Sequence, residues 1–183
     1  AATIAAMIAA ALPPEPTRIP SSGSPGGRRL GIGSSVSVAS IGASTSAIRP
    51  ARANLDAFGA SRHAVISALF AHSSAFGLFR EDKLSAFALC RPFGRGHVVG
   101  PVVAANDEDA IAVVRPHVLE HDGMFLRLDT HRESGDFVAF LMENGLSVFD
   151  TMLTMSFGKR LADFVPDEAN PPVTYALASH TLG

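Results

Sequence analysis

The sequence predicts an α/β domain whose sheet has mixed strand direction and carries helices on both faces. The main observation is the stretch from His97 to Asp129, which reads as an apolar strand, an amphipathic helix and a second apolar strand. A strand–helix–strand unit of about 30 residues places its two strands in parallel. A second observation is the polar turn Arg80–Lys83 between two apolar runs, which predicts an antiparallel hairpin.

Taken in chain order, the first predicted element is a helix that Ser61 caps. Its apolar face holds Val65, Ile66, Leu69 and Phe70. The hairpin follows, with strands at 76–79 and 84–89, and residues 92–96 form a loop rich in glycine.

The central part of the chain is the crossover itself. Strand 97–104 is almost wholly apolar, which indicates burial on both faces. Asn106 or Asp107 starts the next helix, and Pro116 is predicted to kink it or to separate its last turn. The apolar face of that helix comprises Ala110, Ile111, Val114 and Val118.

A strand at 124–128 completes the crossover, and a third helix holds Phe137, Val138 and Leu141 on one face. Gly145 ends that helix. Two further strands are predicted at 148–157 and 173–179.

Composition limits the function classes and divides the chain. The net charge of −2 gives no basic surface for nucleic acid, and the apolar runs are too short to span a membrane. Residues 1–54 are rich in Ser, Gly and Pro, which predicts a disordered leader, or an organelle transit segment because Arg is frequent and acids are scarce. Residues 55–183 form the predicted domain, and we expect a cytoplasmic protein unless the leader directs it to an organelle.

The string Gly100-Pro101-Val102-Val103-Ala104-Ala105, with the Gly145-Leu146 turn, resembles the GNAT (Gcn5-related) N-acetyltransferases. The similarity extends from about Asp56 to Gly183 and is greatest to the carboxyl-terminal domain of proteins with two GNAT-like domains in tandem. It implies a mostly antiparallel sheet with a central parallel pair.

The resemblance also implies acyl transfer from acetyl-CoA or another acyl-CoA to an amine-bearing small molecule or peptide. The backbone of Val102, Val103 and Ala104 would bind the pantetheine arm of that coenzyme. These cofactor and partner assignments are expectations from the family, and a second GNAT domain is a possible further partner.

The sequence departs from the family at two places. The turn that should wrap the pyrophosphate has neither glycine nor a basic residue, and it carries Asp107, Glu108 and Asp109. At an effective dielectric constant of about 20, each carboxylate roughly 4 Å from a phosphate charge costs on the order of 4 kcal/mol. Leu141 stands where many family members have a catalytic Tyr, so the alternative is a non-catalytic domain that packs on a coenzyme-binding GNAT domain. A small-molecule binding domain without chemistry is a third option.

Other polar residues offer weaker sites. Asp129 and His131 follow the second crossover strand and are candidates for a general base, although a solvated pair at the loop edge is favoured. His117 and His121 have the spacing of a metal pair, but exposed surface histidines are favoured and no metal is expected. Cys90 is expected to pack as a small apolar residue.

Overall fold

The computed structural model describes residues 2–9, 36–41, 62–154 and 172–179, and of residues 2–9 and 154 it describes the backbone only. The helices are α1 (His63–Phe70), α2 (Asp107–Glu120) and α3 (Asp136–Glu143). The strands are β1 (Ala2–Ala9), β2 (Val36–Ser40), β3 (Ser74–Arg80), β4 (Lys83–Phe93), β5 (Gly96–Ala104), β6 (Leu126–Thr130), β7 (Ser147–Thr154) and β8 (Val173–Ala176).

The strands form one mixed sheet in the order β2-β3-β4-β5-β6-β1-β7, and β8 pairs with β5 outside that path. Only β5 and β6 run parallel; every other described pair is antiparallel. The predicted fold class is therefore confirmed: a mostly antiparallel sheet surrounds one central parallel pair. The crossover through α2 produces that pair, as the alternation of apolar and amphipathic segments indicated.

Helices cover both faces of the sheet because the central strands are apolar on both sides. On one face, Phe70 of α1 packs with Phe87, Leu89 and Val103. On the other face, α2 and α3 pack on the small side chains of β4 and on the end of β5, in a core that includes Ala86, Ala88, Val102, Ala104, Val114 and Phe137. Side chains that alternate along β4 thus belong to different cores, as strand geometry requires.

The predicted hairpin and the order of the helices and strands after it are confirmed. Ser61, the predicted cap of α1, lies outside the described residues. Asn106 is the N-cap of α2, since its side-chain oxygen accepts the backbone N–H of Asp109 at 2.9 Å. The predicted separation of the last turn at Pro116 is wrong, because α2 is continuous to Glu120. One missing N–H bond is evidently tolerated in a helix whose apolar face is buried.

Two segments of the predicted leader lie in the sheet. β1 pairs with β6 and with β7, and β2 pairs with β3. These 13 residues (8 in β1 and 5 in β2) are strands, so the prediction of disorder does not describe them. The domain boundary between residues 54 and 55 stays a prediction. Among the described residues, no helix is long and apolar enough to cross a membrane.

Candidate active site between β5 and β6

The candidate site is the gap that opens where β5 and β6 diverge. The two strands pair in parallel only from His97 to Val99, opposite Leu126 to Leu128. Beyond that point β8 takes the place of β6, pairing antiparallel with Val102, Val103 and Ala104. In an α/β sheet the carboxyl ends of diverging parallel strands are the favoured place for a ligand. Here that place holds the chain's own β8.

A bulge in β5 shapes the gap. On β4, Ala88 faces Val102 and Cys90 faces Val99, so β5 has one extra residue in this interval. Gly100 lies in the bulge with a φ of +156°, a conformation that favours glycine. A Cβ at this position would collide with the backbone carbonyl oxygen of Leu177, so glycine is needed for β8 to approach β5.

Three hydrogen bonds join the backbone of β8 and of the two residues after it to neighbouring strands. The N–H of Leu177 donates to the carbonyl of Asp129 at 2.8 Å. The hydroxyl of Thr130 donates to the carbonyl of Tyr175 at 2.6 Å. Arg91 donates to the carbonyl of Ala178 at 2.5 Å and also to Gly100, joining β8 to the bulge. Burial lowers the pKa of Arg91, although its guanidinium remains the donor in both bonds.

The side chain of Tyr175 makes the fourth contact, with the start of α2. Its hydroxyl donates to a carboxylate oxygen of Asp107 at 2.8 Å. The ring packs edge-on against Phe137 and lies under the guanidinium of Arg132. Burial, together with the bond to Asp107, raises the pKa of Tyr175 to about 12. The phenol is therefore protonated at neutral pH and serves as a donor.

Asp107 connects three elements at this site. Besides the Tyr175 hydroxyl, its carboxylate accepts the backbone N–H of Phe137 at 2.9 Å, in the first turn of α3. The N-cap of α3 is Gly135, which has no side chain to accept such a bond, so Asp107 replaces the usual cap. Partial burial raises the pKa of Asp107, but the two hydrogen bonds and the charge of Arg132 outweigh it, and the pKa is lowered overall.

Asp109 is also engaged inside the protein. Arg80 of β3 forms a two-point ion pair with it, with N–O distances of 2.6 and 2.7 Å. The carboxylate of Asp109 is buried while Glu108 is exposed. Two of the three acids that the sequence places at the start of α2 are therefore compensated by partners from distant parts of the chain.

The favoured interpretation of Asp129 and His131 was a solvated pair at the loop edge, and the structure differs from it at Asp129. Asp129 is only 1% exposed, and Arg127 binds its carboxylate at 2.8 and 3.1 Å, so the interpretation as a solvated loop-edge residue is wrong for Asp129. The cause is that Asp129 belongs to β6, whose backbone carbonyl at this residue also receives β8. A role in proton transfer for either residue stays a prediction.

His117 of α2 and His121, the residue that caps its carboxyl end, make contacts inside the protein. His117 is fully buried, not exposed as predicted; its ring lies against Phe76, and its Nε2 is 3.3 Å from the carbonyl of Ala88. Burial lowers the pKa of His117 to about 4. The ring Nδ1 of His121 donates to the carbonyl of His117 at 2.8 Å. No cluster of metal-ligand side chains occurs within the described ranges.

Cys90 packs as predicted. It is buried beneath α2, with its sulfur 4.0 Å from Nε2 of His121, and burial raises the pKa of its thiol to about 12. What sequence reasoning could not give is the contacts of Tyr175 and Arg91, because their partners are 68 and 87 residues away along the chain. A tyrosine and an arginine in otherwise apolar strands were the available signals.

Comparison with known proteins gives the family. The model of the Acetyltransferase (GNAT) domain matches residues 52–164. A crystal structure of a GNAT-family protein from Novosphingobium aromaticivorans aligns with a TM-score of 0.49 and 14% identity, over 82% of this chain and 61% of that one. The chain thus spans less than two thirds of that structure's length. No curated protein matches significantly. Since the family model covers more than half of the 183 residues, this chain belongs to the GNAT acetyltransferase family.

Proposed function

We propose that this chain binds acyl-coenzyme A, with acetyl-CoA as the first candidate, in the gap between β5 and β6 and takes part in acyl transfer to an amine. The observation that carries the proposal is the divergence of the only parallel strand pair described, in a chain of the GNAT acetyltransferase family. Val102, Val103 and Ala104 are the proposed contacts for the pantetheine arm. A primary amine on a small molecule or peptide is the proposed acceptor.

While β8 is paired with β5, the gap does not fit the coenzyme. A pantetheine arm needs free backbone N–H and C=O groups along one edge of β5, and β4 and β8 pair with both edges at Val102 and Val103. We therefore derive no catalytic step through the coenzyme in this arrangement. The proposal requires a second arrangement in which the β8 edge of β5 is free.

The charges at the amino end of α2 oppose a bound phosphate less than the sequence suggests. Arg80 neutralises Asp109, and Asp107 is held by hydrogen bonds with Arg132 nearby. Glu108 remains as an exposed charge that solvent screens. A phosphate near this helix end would thus meet about one uncompensated carboxylate, in place of three.

For proton transfer, Asp129 and His131 stay the proposed candidates, because they lie at the carboxyl end of β6. The ion pair with Arg127 favours a structural role for Asp129. His131 has a buried Nδ1 with no hydrogen-bond partner among the described residues, which makes it the better of the two.

Calorimetric titration with acetyl-CoA tests the proposal, followed by detection of free coenzyme A on addition of a panel of primary amines. Binding with release of the thiol in the presence of one amine class is the expected result. Absence of heat at millimolar acetyl-CoA, both for the wild type and for a variant in which β8 is released, would exclude the proposed function.

A second candidate function, a non-catalytic domain that packs on another GNAT-like domain, has a specific observation in its favour. β7 lies at the edge of the described sheet, and its Phe149 and Leu153 are 71% and 75% exposed. Val148 of β7 and Met142 of α3 are also exposed. Exposed apolar patches commonly mark protein interfaces. Replacing Phe149 and Leu153 with Ser should abolish concentration-dependent association in sedimentation experiments; a wild-type chain that stays monomeric at high concentration would argue against a docking role.

A further inference from the structure

The segment from Val173 to Ser179 occupies the proposed ligand gap as an added strand. Its buried residues fit the gap closely: Tyr175 is 3% exposed, and Leu177 and Ala178 are also fully buried. It satisfies backbone groups of β5 through strand pairing and the carbonyl of Asp129 through Leu177. These are the same kinds of backbone groups that an extended pantetheine arm would use, so β8 and such a ligand exclude each other.

The attachment of β8 is limited in extent. The strand is four residues long and, among the described strands, pairs only with β5. By contrast, β1, β3, β4 and β6 each have two strand partners, and β5 has three. Segments of a protein open locally with free energies at or below that of global unfolding, so a short strand with one strand partner can be released while the rest of the sheet stays folded. The remaining attachment combines the burial of residues 175–178 with single polar contacts, among them Tyr175 with Asp107 and Thr130 with Tyr175.

The docked strand also has one unfavourable feature. The hydroxyl of Thr174 is buried without a hydrogen-bond partner among the described residues. A buried polar group without a partner favours any arrangement in which water can reach it. Docking of β8 is therefore weaker than it would be with an apolar residue of the same shape at this position.

We propose that residues 173–179 are an autoinhibitory strand, which must leave the gap between β5 and β6 before an acyl-CoA can bind there. The inference rests on the proposed function, since it concerns regulation of the same site. Its consequence is quantitative: the apparent affinity for acyl-CoA equals the intrinsic affinity multiplied by the fraction of molecules with β8 released. Any change that weakens docking raises the affinity, and any change that strengthens docking lowers it.

Two conservative variants shift docking in opposite directions. Tyr175→Phe removes only the hydroxyl that binds Asp107. Thr174→Val removes only the buried hydroxyl, which has no hydrogen-bond partner in the described part of the chain. Both retain the ring or branched shape that packs in the gap, and circular dichroism with thermal melting confirms that each variant folds. Hydrogen exchange of residues 173–179 measures release of β8 directly, without a ligand.

Titration of the wild type and both variants with acetyl-CoA then tests the inference. We expect Tyr175→Phe to bind roughly tenfold more tightly, the ratio for one hydrogen bond to a charged group, and Thr174→Val to bind several-fold more weakly. Equal affinity in all three proteins, with altered exchange of β8, would overturn autoinhibition and leave the proposed function standing. Absence of binding in all three, including a variant whose β8 exchanges freely, would remove the proposed function itself.

Discussion

Asp107→Ala is the most informative single change, because one carboxylate joins α2, α3 and β8. The substitution removes the acceptor for the Phe137 N–H and for the Tyr175 hydroxyl. A hydrogen bond to a charged group contributes about 1.5–3 kcal/mol when buried. Asp107 is partly exposed, so we take the lower value for each bond and expect a loss of about 3 kcal/mol in the free energy of unfolding.

Glu108→Ala is the matched control in the same helical turn. It removes a charge of the same sign at the same helix end, and Glu108 is exposed. The substitution removes the interaction with the helix dipole, about 0.3–1 kcal/mol, and a solvent-screened attraction to Arg80, and the higher helix propensity of Ala offsets part of this loss. Urea unfolding of the wild type and both variants, with comparison of midpoints at equal slope, measures the two losses. Equal losses would refute the hydrogen-bond argument, since they would show that the acids act only through charge.

The pH dependence of the same comparison provides an internal check. The pKa of Asp107 is lowered in the folded protein relative to 3.8, so its contribution is fully present above the unfolded pKa. It is lost as the pH falls through the lowered folded pKa. The difference between wild type and Asp107→Ala should therefore be constant near neutrality and shrink only below pH 3.8. A difference that already disappears near neutrality would contradict the assignment.

Three further changes test other parts of the fold. Gly100→Ala should destabilise the protein by at least about 3 kcal/mol and release β8. The control Gly123→Ala should cost only about 1 kcal/mol, because Gly123 has a φ of +70° but open space around it. Urea unfolding and hydrogen exchange distinguish the two variants. Arg80→Leu leaves the buried carboxylate of Asp109 without its cation, so the free energy of unfolding measured in urea should fall by about 3 kcal/mol. A fall of less than about 0.5 kcal/mol would show that solvent compensates the charge. The pKa of His117 is 6.5 in the unfolded chain and about 4 in the folded protein, so the free energy of unfolding should fall by about 3 kcal/mol as the pH falls from 6.5 to 4. His117→Gln should flatten this dependence of the unfolding free energy on pH. An unchanged dependence would assign it to other groups.

The central architecture could be predicted because its signals are local. Strand 97–104 is apolar throughout, Asn106 precedes a run of acids, and the period of apolar residues changes from strand to helix and back. Each signal lies within one element, and the parallel pairing follows from the length of the crossover. β1 and β2 were missed because they lie in a segment dominated by Ala and Ser, where neither periodicity nor turn residues separate a strand from a leader.

The candidate site was harder to predict because its contacts are distant in sequence. Asp109 was expected to repel a ligand, and no local pattern indicates that Arg80, 29 residues earlier, binds it. The burial of His117 likewise depends on Phe76 and on the Ala88 carbonyl, which belong to the hairpin that α2 covers. Charges and histidines on a helix are usually solvated. Only the tertiary arrangement identifies the exceptions.

The main obstacle to coenzyme binding is therefore the docked strand β8 and not the negative charge at the start of α2. Three free carboxylates would impose a repulsion that salt screens, since the Debye length falls from about 10 Å at 0.1 M to about 3 Å at 1 M ionic strength. Strand pairing and a Tyr175 bond in a buried setting are screened far less. Raising the salt concentration should thus leave the affinity for acetyl-CoA unchanged or lower it, while Tyr175→Phe raises it at every salt concentration. A wild-type affinity that increases tenfold between about 0.1 and 1 M salt would restore the acidic turn as the obstacle, because only a long-range repulsion responds in that direction.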